Sequence, residues 1–262
     1  MDDRGPQAKS PIGVRGSGLS PVGRASAEVQ LRGASVLLVG ASGGIGTALA
    51  RELHLRGARM TLVGRDPAKL AAVDVPGQRE AADLTMPGEC ARVVQIAAAE
   101  AGPEGLSVVL NACGAVAFGV VAESSLEIAE QLFRVNVLAA IALAQASLAA
   151  LRPGGAILNI SGAVADTPLA GMAAYSASKA ALRAFDTAFA REARRAGIRV
   201  IDARPGHVAT ELSAHPLAGT PPRLGEGIPP AHVAQVICEA LEAGSLDLAP
   251  ESFATGEGRQ TS

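Results

Sequence analysis

Short apolar runs, each bounded by glycine, asparagine or charge, alternate along the chain with longer stretches of helical periodicity. The runs fall at 34–40, 58–64, 78–84, 106–112, 155–161, 198–206 and 246–249. The helical stretches fall between them, at 44–57, from 65, at 88–101, 124–150, 173–196 and 231–243. Strands separated by helices are not hairpins. They need crossover connections, which are right-handed and lay the strands parallel. The alternation therefore predicts an α/β domain, a doubly wound parallel sheet of about seven strands with helices on both faces. In such a sheet a ligand sits outside the carboxyl ends of the strands, where the strand order reverses.

The punctuation agrees with this reading. Arg56 and Gly57 close the first helical stretch, Asp66 is placed to cap the second with Pro67 in its first turn, and Ser124 and Glu127 have capping-box spacing. Residues 1–30 are rich in Gly, Pro, Ser and Arg without an apolar period, which predicts a disordered tail. They lack the apolar core of a signal peptide, and Asp2 and Asp3 argue against a transit peptide. The single domain is expected over 31–250, with a Pro- and Gly-rich mobile loop at 213–230 and a frayed end at 251–262.

Composition removes several classes of function. A net charge of -2 gives no electrostatic case for nucleic acid or an anionic membrane surface, and 2% aromatics offer no stacking platform for bases. Apolar residues make up 48% of the chain, yet the runs are too short and too broken to span a bilayer. Cys90, Cys113 and Cys238 lie far apart and are odd in number, without metal or disulfide spacing, which suits a reducing, cytoplasmic setting. The four histidines do not cluster at ligand spacing either.

Three features carry chemistry. Tyr175, the chain's one tyrosine, stands four residues before Lys179 at the start of an Ala-rich helical stretch. That spacing stacks the two side chains one turn apart on a single helix face. An ammonium beside a phenol favours the phenolate and lowers a pKa that is otherwise about 10, so the phenol can exchange protons near neutral pH. Between the first strand and helix lies GASGGIG, residues 40–46. Here Gly40, Ser42, Gly43, Gly44, Ile45 and Gly46 form a turn whose backbone can approach a pyrophosphate at a helix N-terminus. The second strand ends in Gly64 followed by Arg65. An acid at that strand end would bind the ribose 2′-hydroxyl of NAD, whereas an arginine suits the 2′-phosphate of NADP. The expected cofactor is NADP(H) in preference to NAD(H). Without that context, the glycines describe an ordinary turn and Arg65 a solvated loop residue.

Taken in order, these features resemble the short-chain dehydrogenase/reductase family over residues 33–250. Asp83 and Leu84 resemble its adenine-contacting pair. Asn111, Ala112, Cys113 and Gly114 resemble its Asn-Ala-Gly turn after the fourth strand. Asn136 matches the helix asparagine of its catalytic tetrad, and Tyr175 and Lys179 match its Tyr-x-x-x-Lys. Pro205, Gly206, Val208 and Thr210 match the Pro-Gly-x-Val-x-Thr segment that lies over the nicotinamide, with His207 at the variable position. The resemblance implies a Rossmann-like fold. It also implies NADP(H)-dependent interconversion of a ketone or aldehyde with an alcohol on a small-molecule substrate, and the mostly small, apolar stretches 113–116, 162–172 and 208–228, expected to line the pocket, suit a hydrophobic one. Tyr175 is then the acid/base, Lys179 binds the ribose and supports the phenolate, and Asn136 holds a relay water. A homodimer through the helical stretches 124–150 and 173–196 is implied as well; the Asp-Gly-Gly segment common in tetrameric members is absent.

One position departs from the pattern. The family's catalytic serine lies thirteen residues before the tyrosine, where this chain has Gly162. Ser161 precedes it, and neighbouring side chains on a strand point to opposite faces. Either the strand end bends enough for Ser161 to bind substrate, or Ser161 is structural and the site lacks that donor. The second case leaves room for a catalytically impaired dinucleotide-binding or sensor protein.

Overall fold

The computed structural model describes residues 28–255. Seven parallel strands form one sheet: β1 (Ser35–Val39), β2 (Arg59–Gly64), β3 (Gln78–Ala81), β4 (Leu106–Asn111), β5 (Leu151–Ile160), β6 (Arg199–Ala203) and β7 (Asp247–Leu248), in the order β3-β2-β1-β4-β5-β6-β7. The order reverses between β1 and β4, so the crevice expected of a doubly wound sheet opens at their carboxyl ends.

The central strands are buried on both faces, which is why they are runs of Val, Leu and Ile rather than alternating patterns. In β1, Val36 and Leu38 face one apolar layer and Leu37 and Val39 the other. The first layer is closed by α1 (Gly44–Leu55) and α7 (Pro230–Glu242) through Leu49, Leu53, Val233, Ile237 and Leu241. The second is closed by α3 (Glu89–Ala101), α5 (Ala139–Ser147) and α6 (Ala173–Ala193), with Val93, Leu143 and Phe189 inside. The short α2 (Pro67–Ala71) is capped as expected, Asp66 accepting from the backbone of Ala68 and Lys69.

Four details correct the expectations. The cap of α4 (Leu126–Phe133) is Ser125, which accepts from Ile128, while Ser124 bonds back to the Val120 carbonyl. The stretch 124–150 is not one helix: a π-helical segment, Arg134–Leu138, separates α4 from α5. Val29 is buried and donates its N–H to the Leu241 carbonyl, so the folded unit begins before residue 31. At the other end Pro250–Phe253 forms a 3-10 turn with Phe253 fully buried, so the chain is packed beyond 250. The rest of the expected tail, 1–27, and of the frayed end, 256–262, lies outside the described residues. The segment 213–230 has little regular structure, but it is tied by Leu217 to Val116 and by Ile228 to His207 and Ala209.

Candidate active site

The glycine turn after β1 is built by close approach. Gly40 has φ +76°, and a Cβ there would fall 2.7 Å from the Ala112 backbone; a Cβ on Gly46 would fall 2.0 Å from the Gly40 carbonyl oxygen. The turn is thus pressed between the first turn of α1 and the turn after β4. Gly43 caps α1 without a side-chain partner and donates its own N–H to the Gly40 carbonyl at 3.0 Å, while Gly44, the first residue of the helix, is exposed. A Cβ on Gly44 would meet the Thr210 methyl at 2.5 Å, so the segment after β6 folds down onto the same turn. Ser42 borders the end of β2, where a Cβ on Gly64 would lie 2.8 Å from its hydroxyl. Arg65 is exposed beside it. Asp83 accepts from the backbone and hydroxyl of Thr85, and that hydroxyl, with help from the Arg65 charge, holds its carboxyl below the usual range. Leu84 is buried beside it. Gly40, Ser42, Arg65, Asp83, Ala112 and Thr210 therefore gather around one crevice.

Across the crevice stands the first turn of α6. Burial pushes the Tyr175 phenol up to about 12. Lys179 is buried with its Nζ 6.0 Å from the tyrosine ring centroid, and it donates to the Ile160 carbonyl at 2.8 Å. Burial pulls the ammonium down to about 8, opposed first by the charge of Asp202. The expected lowering of the phenol pKa is thus absent: desolvation dominates at Tyr175, and the lysine is addressed to the strand end.

Asn136 sits in the π-helical segment. Its Oδ1 accepts from Ala115 N at 2.9 Å, and its Nδ2 donates to Ala115 O and to the Ser178 hydroxyl, each at 3.0 Å. Both amide hydrogens are committed, which ties the turn after β4 to α6. A Cβ on Gly114 would lie 3.6 Å from Lys179 Nζ and 3.7 Å from Asn136 Oδ1, so the turn and these two side chains converge. Asn111 bonds across the sheet to Asn159 and accepts from Cys113 N, making it a fastener of the strand end.

Ser161 does not reach the crevice. Its side chain is fully buried and its hydroxyl donates to Asp202 on β6, which corrects the expectation of a substrate contact. The chain does turn at this point, the N–H groups of Ser161 and Gly162 both bonding to Ala203 O, but the turn leaves the Ser161 hydroxyl on Asp202. Gly162 follows with φ +86° and ψ 159°, a conformation open in practice only to glycine, and its missing Cβ would meet nothing closer than the Pro205 carbonyl at 3.6 Å. Pro205 is buried, Gly206 and Val208 lie along the floor of this segment, and His207 is exposed. Sequence reading missed Asn159, Asp186, Asp202 and Arg204, a buried polar group behind Lys179. Its signal was present: Asn159 and Asp202 are polar residues inside runs too apolar to be half-solvated.

The family model described as short chain dehydrogenase matches residues 34–218. A 2,3-dihydro-2,3-dihydroxybenzoate dehydrogenase of Escherichia coli is 35% identical over 182 residues, 69% of this chain and 71% of that protein. An uncharacterized oxidoreductase of Methylorubrum extorquens is 33% identical over 190 residues, 70% of this chain and 76% of that one. Among solved structures, a short chain dehydrogenase from Burkholderia cenocepacia in complex with NADP aligns with a TM-score of 0.75 at 26% identity. The alignment covers 85% of this chain and 90% of that one.

Proposed function

The chain belongs to the short-chain dehydrogenase family of oxidoreductases, and on that footing we propose that it interconverts a carbonyl and an alcohol with NADP(H). The dinucleotide, when bound, supplies or accepts the hydride. The observation that carries this reading is the convergence of Tyr175, Lys179, Asn136 and the Gly114 turn at the carboxyl ends of β4 and β5, facing the glycine turn across the crevice.

The residues fit a dinucleotide. The missing side chains at Gly40 and Gly46 let the turn close on the Ala112 backbone and on itself, which brings the exposed start of α1 to the crevice and suits a pyrophosphate there. Arg65 suits a 2′-phosphate, and Gly64 stands where an acid would select NAD. Asp83 and Leu84 border the adenine side. Asn111, Ala112 and Gly114, with Pro205, Gly206, Val208 and Thr210, border the nicotinamide side.

Tyr175 is the proton donor to the alkoxide formed in reduction. A phenol raised by burial is protonated at neutral pH, the state that role requires. Lys179 has three N–H donors and spends one on Ile160, leaving the others for the ribose and the phenolate. A relay water at Asn136 would have to use the main chain, since the side-chain amide hydrogens are taken. Of the three stretches read as bordering the substrate, 113–116, 162–172 and 208–228, the last two expose Leu169, Leu212, Leu217 and Leu224, which favours an apolar ketone or secondary alcohol. Free thiols at all three cysteines suit a cytoplasmic setting.

The inward turn of Ser161 favours one second reading, a dinucleotide-binding sensor without turnover. NADPH titration together with a panel of apolar ketones separates the two. Turnover that Tyr175→Phe abolishes supports the oxidoreductase. Tight NADPH binding with no turnover on any ketone, and Tyr175→Phe changing only affinity, supports the sensor.

A further inference from the structure

One polar row crosses half of the sheet. Asn111, Asn159, Asp202 and Asp247 are register partners on β4, β5, β6 and β7. The first three are buried. The row lies on the face that α6 covers: Asn159 donates to Asp186 of α6 at 2.7 Å, and Ser161, two residues along the same strand, donates to Asp202. Buried polar groups are costly unless satisfied, so the charge balance of this row has consequences for whatever lies against it.

The ion pairs inside the row do not balance. Arg204 meets three carboxylates, Asp202 at 2.8 Å, Asp247 at 2.6 Å and Asp166 at 2.8 Å. Arg183 pairs with Asp166 and comes within 3.9 Å of Asp202. Two arginines thus serve three aspartates, and one negative charge is left over among these five groups. The other ionisable groups facing Lys179 are Asp186 and Tyr175 of α6 and Cys113 of the turn after β4. Asp186 has the Asn159 amide on one oxygen and no partner on the other, and burial pushes it up to about 8, so it is largely protonated at neutral pH. Cys113 and Tyr175 are each pushed up to about 12 and are neutral. Lys179 is the cation that remains. It bonds to the carbonyl of Ile160, the residue just before Ser161, and among the charges that oppose its desolvation Asp202 comes first.

We infer that Asp202, held by the Ser161 hydroxyl, is a positioning residue that keeps the Lys179 ammonium charged. Ser161 then serves the site from behind the strand, through Asp202 and Lys179, rather than from the substrate side. The inference rests on the reading of Lys179 as the support of Tyr175, but its test does not.

Lys9, Lys69 and Lys179 are the chain's lysines, so full-length protein labelled with ε-13C-lysine gives three signals, assigned with Lys9→Arg and Lys69→Arg. The Lys179 signal is titrated in the free protein. Asp202→Asn is expected to lower its midpoint by about one pH unit, and Ser161→Ala to lower it by less. In the same variants the alkaline limb of NADPH binding moves to lower pH, which a loss of packing alone does not produce. An unchanged Lys179 midpoint in both variants overturns the inference, even where activity falls. If Asp202→Asn does not fold, Ser161→Ala decides alone by the same criterion. If the midpoint falls as expected but NADPH is neither bound nor turned over, the inference stands and the oxidoreductase reading falls.

Discussion

At the scale of single residues, Tyr175 and Gly162 decide what the site can do. Tyr175→Phe removes the one phenol and should lower turnover by about 10²–10⁴-fold, with NADPH affinity kept, as steady-state rates and calorimetry would show. Gly162 is held at φ +86°, so Gly162→Ala and Gly162→Ser should both lower stability by about 1–3 kcal/mol, read as matched losses in melting temperature. Because that strain is common to the pair, any difference in rate reports the hydroxyl alone. The serine variant should turn over faster than the alanine variant, up to the roughly 10²–10³-fold that one oriented donor is worth. Equal rates would mean that the hydroxyl at 162 does not reach the reacting carbonyl. The Tyr175–Lys179 pair and the glycine turn were legible in the sequence because each is a local spacing beside a predicted element. The environment of Tyr175 was not: helical spacing says that Lys179 lies one turn away, but not that its ammonium turns to Ile160, nor how dry the phenol is.

At the scale of elements, α6 joins the face that carries Tyr175 and Lys179 to the buried acids. Asp186 lies seven residues after Lys179, two helical turns along, under the Asn159 amide. Its acid is raised from an ordinary value near 4 to about 8, so the folded state holds a proton that the unfolded chain releases. The stability this gives is complete below pH 4 and is lost as pH rises toward 8. Asp186→Asn has no such loss. Its melting temperature relative to the unsubstituted protein should therefore climb between pH 4 and pH 8, and a difference that stays flat would show Asp186 to be ionised in the fold. Asn136 makes the complementary case. Asn136→Leu orphans the Ala115 N–H and carbonyl and leaves the Ser178 hydroxyl only its bond to the Tyr175 carbonyl, and should cost about 1–3 kcal/mol for a buried polar group left unpaired. In the sequence Asn136 stands inside a helical stretch, where propensity disfavours asparagine. The π-helical segment around it was not legible, because it answers to contacts with Ala115 and Ser178 that are distant in the chain. The row Asn111, Asn159, Asp202 was hidden for the same reason. Asn111, Asn159 and Asp202 lie on three different strands, and only strand order and register make them neighbours.

For the whole molecule, alternation of strands and helices was sufficient to give sheet, handedness and the location of the crevice, because crossover connections leave few other ways to bury both faces. What the alternation cannot give is the outer surface. The outer side of α4, the π-helical segment and α5 carries Leu126 and Leu138, which are 71% and 58% exposed. Just before α4, Val121 is 73% exposed. Scattered exposed leucines need no explanation, but these lie along one continuous run of helix that also positions Asn136. A twofold pairing through this face would cover the leucines twice over, since an isologous contact meets its own copy. Light scattering at micromolar concentration should therefore give the mass of a dimer, and Leu126→Glu with Leu138→Glu should give a monomer whose far-ultraviolet circular dichroism is unchanged. Because the same run holds Asn136 against Ala115, the monomeric variant should also melt at lower temperature and bind NADPH more weakly. A variant that becomes monomeric without losing affinity would separate assembly from the site, and a parent protein that is already monomeric would remove the pairing altogether.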